Sequence, residues 1–473
     1  MSNYHEETVY QRNSLLGYSL DWSNRPLGFK NYQHRPPLPL PEALSCPASF
    51  WETALPAKIK KPSRPPQAGE LSRILRLSAG ITRPRWEDGR MLGARAPASA
   101  GGLYPSELYV LTSGVTEVED GLYHFTPLGP AWQYLWPGPL AAYAARSLGG
   151  RPARLTFFIT SLFWRSLWKY NSRAYRYCLL DAGHMLANLE LALAGFGFPV
   201  RSNINFADNS VSVLLGLANL DEAPLAAVRA GGAAEESGGP EFKLPPLDLE
   251  ALPLSRRIGR DYLLLSSHRA GDLEQPLAEP LWHDPEISRP EELISLPVPT
   301  PAGNPSLQEI IIRRQSRRDF GAPSPSLAGL SLLLKACLPQ PAPVMALVIA
   351  GTGLELAAGS YLYLPGRHAL LARSKGQDWR RIVADACLGQ GFIAKAKVQI
   401  ILWADLDNLG KKGGPRFYRH AMLAAGKAGQ RCYLAAAALG LNCCGVGAFY
   451  DDDLAVINGM PHRASPLYLL ACG

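Results

Sequence analysis

The stretch 173–197, RAYRYCLLDAGHMLANLELALAGFG, decides the fold, because the chain repeats its pattern at 416–440 as RFYRHAMLAAGKAGQRCYLAAAALG. The two copies align without a gap, at a constant offset of 243 residues (416 minus 173). Both copies begin with Arg-x-Tyr-Arg and share two glycines, Gly183 and Gly197 in the first and Gly426 and Gly440 in the second. A match of this length indicates two related domains in one polypeptide. A site that a homodimer builds between its subunits would then lie between the two halves of this chain.

The composition is that of an ordinary globular protein. A chain of 473 residues has room for about two to four domains. Hydrophobic residues make up 47% and charged residues 19%, which is enough to build a large core. The net charge of +8 is mild, and the basic residues are scattered rather than gathered in a stripe. This distribution argues against dedicated nucleic-acid binding and favours a localised anion site.

The cysteines and the N-terminus exclude several other classes. None of the eight cysteines forms a C-x-x-C pair and no histidine cluster lies near them, so neither a disulfide scaffold nor a metal site is predicted. The opening MSNYHEETVY lacks the apolar region of a signal peptide. No run of about 18 apolar residues is present, so no membrane association is predicted. We expect a cytoplasmic protein.

Local patterns divide the chain into four parts. Residues 1–69 are expected to form an extended arm, 70–230 a first domain, 231–305 a connector rich in Pro and Gly, and 306–473 a second domain. In the first domain, a helix is predicted at 70–83 and strands at 106–114, 122–127 and 155–163. The second domain repeats this order, with a helix at 325–337 and strands at 344–350, 360–364 and 398–406. The repetition predicts an α+β fold used twice.

Two motifs could hold a ligand. The run RRQSRR at 313–318 follows an apolar helix, and its alternating Arg-x-Ser-x-Arg can aim two guanidinium groups and a hydroxyl at one phosphate. The alternative is a solvated basic turn. The run PASAGGLYP at 97–105 consists mainly of small residues, which let a flat ligand approach the backbone. The alternative here is a tight turn before a strand.

Two further motifs have the same double interpretation. The run GVGAFYDDD at 445–453 again permits close backbone approach, while its acidic residues can cap the next helix. Lys169 and Tyr170 can serve as an acid/base pair if they are partly buried. The alternative is a lysine whose apolar stem lies over aromatic neighbours.

Together these motifs resemble a known family. RAPASAGGLYPSELY (95–109), the block from Lys169 to His184, RRQSRRDF (313–320) and GVGAFYDDDL (445–454) are similar to signatures of the SagB-type dehydrogenases, a branch of the FMN-dependent nitroreductase superfamily. The resemblance covers roughly 70–230 and 306–473. It implies two tandem nitroreductase-like domains, each a central mixed sheet flanked by helices, that form an intramolecular pseudodimer. It also implies an FMN at the interface.

The resemblance assigns roles to individual residues. The implied contacts to the flavin phosphate are Arg314, Ser316 and Arg318. The residues implied to line the flavin ring are Ser99, Ala100, Gly101 and Gly102. The loop implied to face the reactive N5 atom of the flavin consists of Val446, Gly447 and Ala448. In the SagB-type branch, a Lys-Tyr pair matters for catalysis, which points here to Lys169 and Tyr170.

The two halves have diverged in a complementary way. The first half has FWETALPAKIKKP (50–62) where its phosphate turn is expected, and VRSNINF (200–206) where its N5 loop is expected. The second half has LPQPAPVMA (338–346) in place of the small-residue loop. One site is therefore expected to be complete and its counterpart to be dead. The chain ends at Ala471-Cys472-Gly473, without the basic residue that many relatives place there to hold the phosphate.

The function expected from this resemblance is an FMN-dependent dehydrogenase that oxidises azoline rings of a peptide-derived substrate to azoles, with biosynthetic partner proteins. One alternative is an NAD(P)H-dependent reductase of small nitro compounds or quinones. Another, of a different class, is a flavin-less scaffold or peptide-binding partner.

Overall fold

The computed structural model describes residues 2–12, 19–55, 64–87, 90–217, 221–234, 249–286, 292–321, 323–457, 460–461 and 463–473. The arm and first domain contain helices α1 (Ser2–Glu7), α2 (Phe50–Ala54), α3 (Ala68–Ala79), α4 (Ala141–Leu148), α5 (Phe163–Tyr170), α6 (Ala174–Gly195) and α7 (Asp208–Leu214). Their strands are β1 (Leu38–Pro39), β2 (Ile81–Glu87), β3 (Arg90–Arg95), β4 (Ser106–Thr112), β5 (Gly121–Thr126), β6 (Ala131–Pro137), β7 (Ala153–Leu162), β8 (Arg201–Asn203) and β9 (Glu222–Ala233).

The remainder repeats this series. The helices of the connector and second domain are α8 (Tyr262–Arg269), α9 (Leu307–Arg313), α10 (Leu327–Cys337), α11 (Arg380–Ala386), α12 (Leu406–Gly413), α13 (Arg416–Ala438) and α14 (Asp451–Ala455). The strands are β10 (Leu293–Ser295), β11 (Met345–Ala350), β12 (Gly359–Leu364), β13 (Ala369–Lys375), β14 (Val398–Ala404), β15 (Cys443–Val446) and β16 (Ser465–Cys472).

The strands form two seven-stranded sheets of matching topology. Their orders are β1-β6-β5-β4-β7-β9-β8 and β10-β13-β12-β11-β14-β16-β15. The predicted tandem α+β fold is confirmed. All pairings between these strands are antiparallel rather than mixed as expected. In each sheet the outermost strand, β1 or β10, precedes its domain in the chain, so the arm and the connector each add an edge strand.

One predicted element is shorter than expected. The helix predicted at 70–83 ends at Ala79, and Ile81 begins strand β2, which pairs with β3 as a separate hairpin. Gly80 at the helix end, the β-branched Ile81 and Thr82, and Pro84 explain the change, because each of them disfavours a continuing helix.

The repeated helices α6 and α13 pack directly against each other across the boundary between the halves. Their middle glycines make this close approach possible. A Cβ atom added to Gly183 would lie 2.9 Å from Gly426 Cα and 2.9 Å from the backbone nitrogen of Lys427. A Cβ on Gly426 would meet the backbone of Leu180 in the same way.

The repeated arginines hold the halves together through buried ion pairs. Arg173 and Arg176 of the first half donate to Asp451 of the second, at 2.8 and 2.6 Å. Arg416 and Arg419 of the second half donate to Asp208 of the first, each at 2.8 Å. Asp208 and Asp451 are themselves related by the repeat offset.

The repeated pattern Arg-x-Tyr-Arg is thus a structural clamp between the halves. Within the described part of the chain, no helix is both long and apolar enough to span a bilayer.

Candidate functional site

The small-residue loop at 97–105 is hydrogen-bonded to helix α6 of its own half. Ser99 donates a hydrogen bond to Asp181, and the backbone N–H of Ala100 donates to the other carboxylate oxygen at 3.1 Å. Burial raises the pKa of Asp181 to about 7, although these two hydrogen bonds act in the opposite direction. The loop therefore rests on a carboxyl group that titrates near neutral pH.

Side chains of the second half also form hydrogen bonds with the backbone of this loop and of the residues just before it. Gln430 of α13 accepts from the N–H of Ala98 at 3.2 Å and donates to the carbonyl of Ala96 at 3.3 Å. Arg314 also donates to Ala96, at 2.8 Å, and to the carbonyl of Arg95. The loop thus lies on the boundary between the halves.

Lys169 and Tyr170 lie directly over this loop. Gly101 has a left-handed φ of +62°, and a Cβ atom there would lie 2.6 Å from Tyr170 Oη and 3.0 Å from Lys169 Nζ. Only glycine fits these two constraints together. Lys169 Nζ is also 5.4 Å from the centroid of the Tyr170 ring. The lysine therefore also has an aromatic neighbour, as the alternative interpretation of this pair expected.

An aromatic bridge joins this pair to the second half. The ring of Tyr170 lies 4.4 Å, centroid to centroid, from that of Tyr177. Tyr177 Oη donates to the carbonyl of Gly447 at 3.2 Å, and a Cβ on Gly447 would lie 2.6 Å from the Tyr177 ring. A series of contacts through Tyr177 therefore links Lys169, Tyr170 and Gly101 of one half to Gly447 of the other.

The loop at Gly447 presents free donors. Val446 is buried and pairs with Leu469 at the end of β15, which fixes where the loop leaves the sheet. Arg173 reinforces Tyr177 by donating to the Gly447 carbonyl at 3.3 Å. Within the described residues, the N–H groups of Gly447 and Ala448 have no hydrogen-bond acceptor. Two such N–H groups can serve a ligand that carries acceptors.

The structure brings together only some of the residues of the predicted phosphate turn (313–318). Arg314 is buried, lies 5.4 Å from the centroid of the Tyr433 ring, and has an Nη1 atom with no partner in the part of the chain that the structure describes. Ser316 Oγ is 2.9 Å from Tyr433 Oη, which accepts the N–H of Gly445 at 2.6 Å. Arg318 is exposed, with its guanidinium 5.0 Å from the centroid of the Phe392 ring.

A further cation, which the sequence did not indicate, lies beside this turn. Arg83 of strand β2, in the first half, has a buried Nε atom without a partner among the described residues. Burial lowers its pKa, and the neighbouring guanidinium groups of Arg314 and Arg317 lower it further. Within the described ranges, none of Arg83, Arg314 and Arg317 has a carboxylate partner. Such a cluster fits an anion with the charge of a phosphate.

The family assignment follows from comparison with known proteins. The model of the Nitroreductase family matches residues 61–232 and 311–473, which together are more than half of the chain. The chain belongs to the nitroreductase family.

Individual relatives agree with this assignment. The protein MJ1384 of Methanocaldococcus jannaschii, which carries a nitroreductase name, is 30% identical over 183 residues, covering 35% of this chain and 90% of its own. The microcin B17-processing protein McbC of Escherichia coli is 29% identical over 141 residues, covering 27% of this chain and half of its own length. A solved structure from Anabaena variabilis, also named as a nitroreductase, covers 100% of this chain and 98% of its own, with a TM-score of 0.80 at 25% identity.

Members of this family generally use FMN. The residues present fit that cofactor at three points. Within the described residues, Arg314 Nη1 is a buried donor without a protein partner and the N–H groups of Gly447 and Ala448 are free, and a Cβ atom added to Gly102 would meet only the Tyr104 ring, at 4.0 Å.

Proposed function

We propose that this protein is an FMN-dependent oxidoreductase with one flavin site between its halves. We further propose that it is a SagB-type dehydrogenase, which oxidises azoline rings of a peptide-derived substrate to azoles. The observation that carries the proposal is the series of contacts, through Tyr177, that links Lys169, Tyr170 and Gly101 of one half to Gly447 of the other. Neither half has all of these parts.

Each group has a distinct part in binding. Arg314, Ser316 and Arg318, together with Arg83, hold the phosphate. Ser99, Ala100, Gly101 and Gly102 lie against the ring, and their position is fixed by Asp181 and Gln430. The N–H groups that follow Val446, on Gly447 and Ala448, donate to the redox-active edge. When bound, FMN supplies the two-electron acceptor.

The protein must supply the proton chemistry. Oxidation of an azoline to an azole removes a hydride and a proton from adjacent ring atoms, so a base is needed on the substrate side of the flavin. Lys169 and Tyr170 are the groups that lie at the loop on that side. We assign the proton to this pair, with the two residues acting together because they lie in contact with the same glycine.

The similarity to McbC supports the choice of substrate. McbC is named for processing microcin B17, and the matched stretch is 29% identical. A peptide-derived substrate and partner proteins of a biosynthetic assembly are proposed on this basis. The 30% identity to MJ1384 keeps an NAD(P)H-dependent nitro or quinone reductase as the second candidate.

The test offers the FMN-loaded chain a thiazoline-containing peptide under anaerobic conditions. The expected result is bleaching of the flavin and loss of two hydrogen atoms from the peptide by mass spectrometry. Lys169→Ala and Tyr170→Phe should abolish this reaction while flavin is retained, and Lys411→Ala, an exposed lysine on α12, should not.

Two results would decide against the proposal. Rapid bleaching by NADH or NADPH with an unchanged peptide would favour the reductase. A protein that stays colourless when FMN is added would favour the flavin-less scaffold.

A further inference from the structure

The boundary between the halves contains a second cleft, with a volume of about 460 Å³. Its walls are the repeat counterparts of the site described above. By strand register, the segment 338–343 corresponds to 100–105 at an offset of 238 residues (359 minus 121), while Ile204 corresponds to Gly447 and His420 to Tyr177 at the offset of 243 residues. The pseudosymmetric partner of the flavin site has therefore kept its space although it has lost its motifs.

The donors that face the flavin in the first site are already occupied in the second. The connector brings Glu279 into this cleft, where one carboxylate oxygen accepts the N–H of Ile204 at 2.6 Å and of Asn205 at 2.8 Å. These residues are the counterparts of Gly447 and Ala448. An acceptor edge of a flavin would have to displace a carboxylate to reach them.

The opposite wall has also lost its donors. Three of the residues at 338–343 are prolines, at positions 339, 341 and 343, and proline has no backbone N–H. By the same register, Pro339 and Pro341 stand where the first half has Gly101 and Leu103, which do carry a backbone N–H. This wall provides surfaces on which a flat ligand ring can pack, but it provides few hydrogen-bond donors.

Carboxylates outnumber cations in the lining of the second cleft. Glu52, Glu190 and Glu279 line it. Its cations are used internally, because Lys427 lies 2.9 Å from Glu190 and Arg431 donates to the carbonyls of Ala54 and Ala336.

The remaining ionisable and aromatic groups of the cleft also favour a cationic ligand. Burial, and then the nearby arginines of α13, lower the pKa of His420 to about 3, so this ring is neutral. Trp282 lines the same cleft, beside Leu186 and Leu423. An aromatic face together with carboxylates is the combination that attracts an organic cation.

We propose that this second cleft is a binding site for an aromatic organic cation that carries no phosphate. Its ligand packs between the proline wall and Trp282, and its positive charge lies near Glu279, because Glu190 is already paired with Lys427. The inference does not depend on the proposed function, because none of its residues belongs to the flavin site.

Calorimetric titration of the FMN-loaded chain with N-methylacridinium tests the inference. The expected result is one saturable site per chain. Trp282→Ala and Glu279→Gln should each weaken binding about tenfold, whereas Trp282→Phe should retain most of it. Glutamine at 279 still accepts the two backbone N–H groups, so that variant removes charge without removing the contact. Tyr262→Ala is the matched control, since Tyr262 is an exposed aromatic residue.

Three outcomes would overturn the inference. They are absence of saturable binding to the folded wild-type protein, binding that Trp282→Ala and Glu279→Gln leave unchanged, and equal affinity for lumichrome, a flat neutral ring. A chain that retains no flavin but still binds N-methylacridinium would refute the proposed function and leave this inference standing.

Discussion

Gly183→Ala should separate the two halves, and the structure gives the size of the effect. The added Cβ would lie 2.9 Å from Gly426 Cα and from the nitrogen of Lys427, and closer still to the carbonyl oxygen of Leu423. Carbon atoms in ordinary contact are about 3.5–4.0 Å apart. All three obstacles are backbone atoms, so the helices α6 and α13 must move apart by about 1 Å.

This displacement is costly because it affects a long interface. Overpacking a core costs about 1–3 kcal/mol, and a rigid backbone obstacle places this site at the upper end. Alanine offsets about 1 kcal/mol of that cost, since it favours a helix more than glycine does. We expect the free energy of unfolding to fall by about 2 kcal/mol.

Urea unfolding followed by circular dichroism measures the change. Gly410→Ala is the matched control, because Gly410 lies in helix α12 with nothing within 4 Å of the added atom, and it should stabilise the protein by up to about 1 kcal/mol. If Gly183→Ala were as stable as Gly410→Ala, the close packing of the two helices would be refuted.

Three further predictions concern ionisable groups. Asp451→Ala strands two buried arginines and should cost about 3–5 kcal/mol in urea unfolding; a loss below 1 kcal/mol would disprove the clamp. Asp181 has a raised pKa, so the folded state resists its ionisation, and about 4 kcal/mol of stability should be lost as pH rises from about 4 to about 7. Asp181→Asn should remove this loss, and parallel curves for both proteins between pH 5 and 8 would contradict it. Arg314→Ala should weaken FMN retention in equilibrium dialysis by at least about tenfold, while the exposed Arg373→Ala should not; equal retention would remove Arg314 from the site.

The sequence predicted the architecture because the repeat preserved helix and strand order in both halves. It did not predict the edge strand Leu293–Ser295, since three residues within a Pro-rich segment have no detectable period. Nor did it reveal what the repeated arginines do. Their partners, Asp208 and Asp451, lie far away in the chain, and no local pattern connects them.

For the candidate site, small residues and basic turns in the sequence indicated which segments form it. They did not indicate which side chains hold those segments in place. Asp181 was visible only as part of a helix, and burial, which raises its pKa, cannot be read from its neighbours in sequence. Arg83 lies in a hairpin of the first half, yet it stands beside Arg314 of the second. Contacts across the boundary between the halves are a property of the fold, so they required the structure.

The most direct test of the account is the number of flavins that one chain binds. Equilibrium dialysis of the purified protein against FMN, with flavin and protein measured separately, should give one FMN per chain, and Arg314→Ala should lower that occupancy. Two FMN per chain would contradict the division of labour between the halves, and none would contradict the composite site.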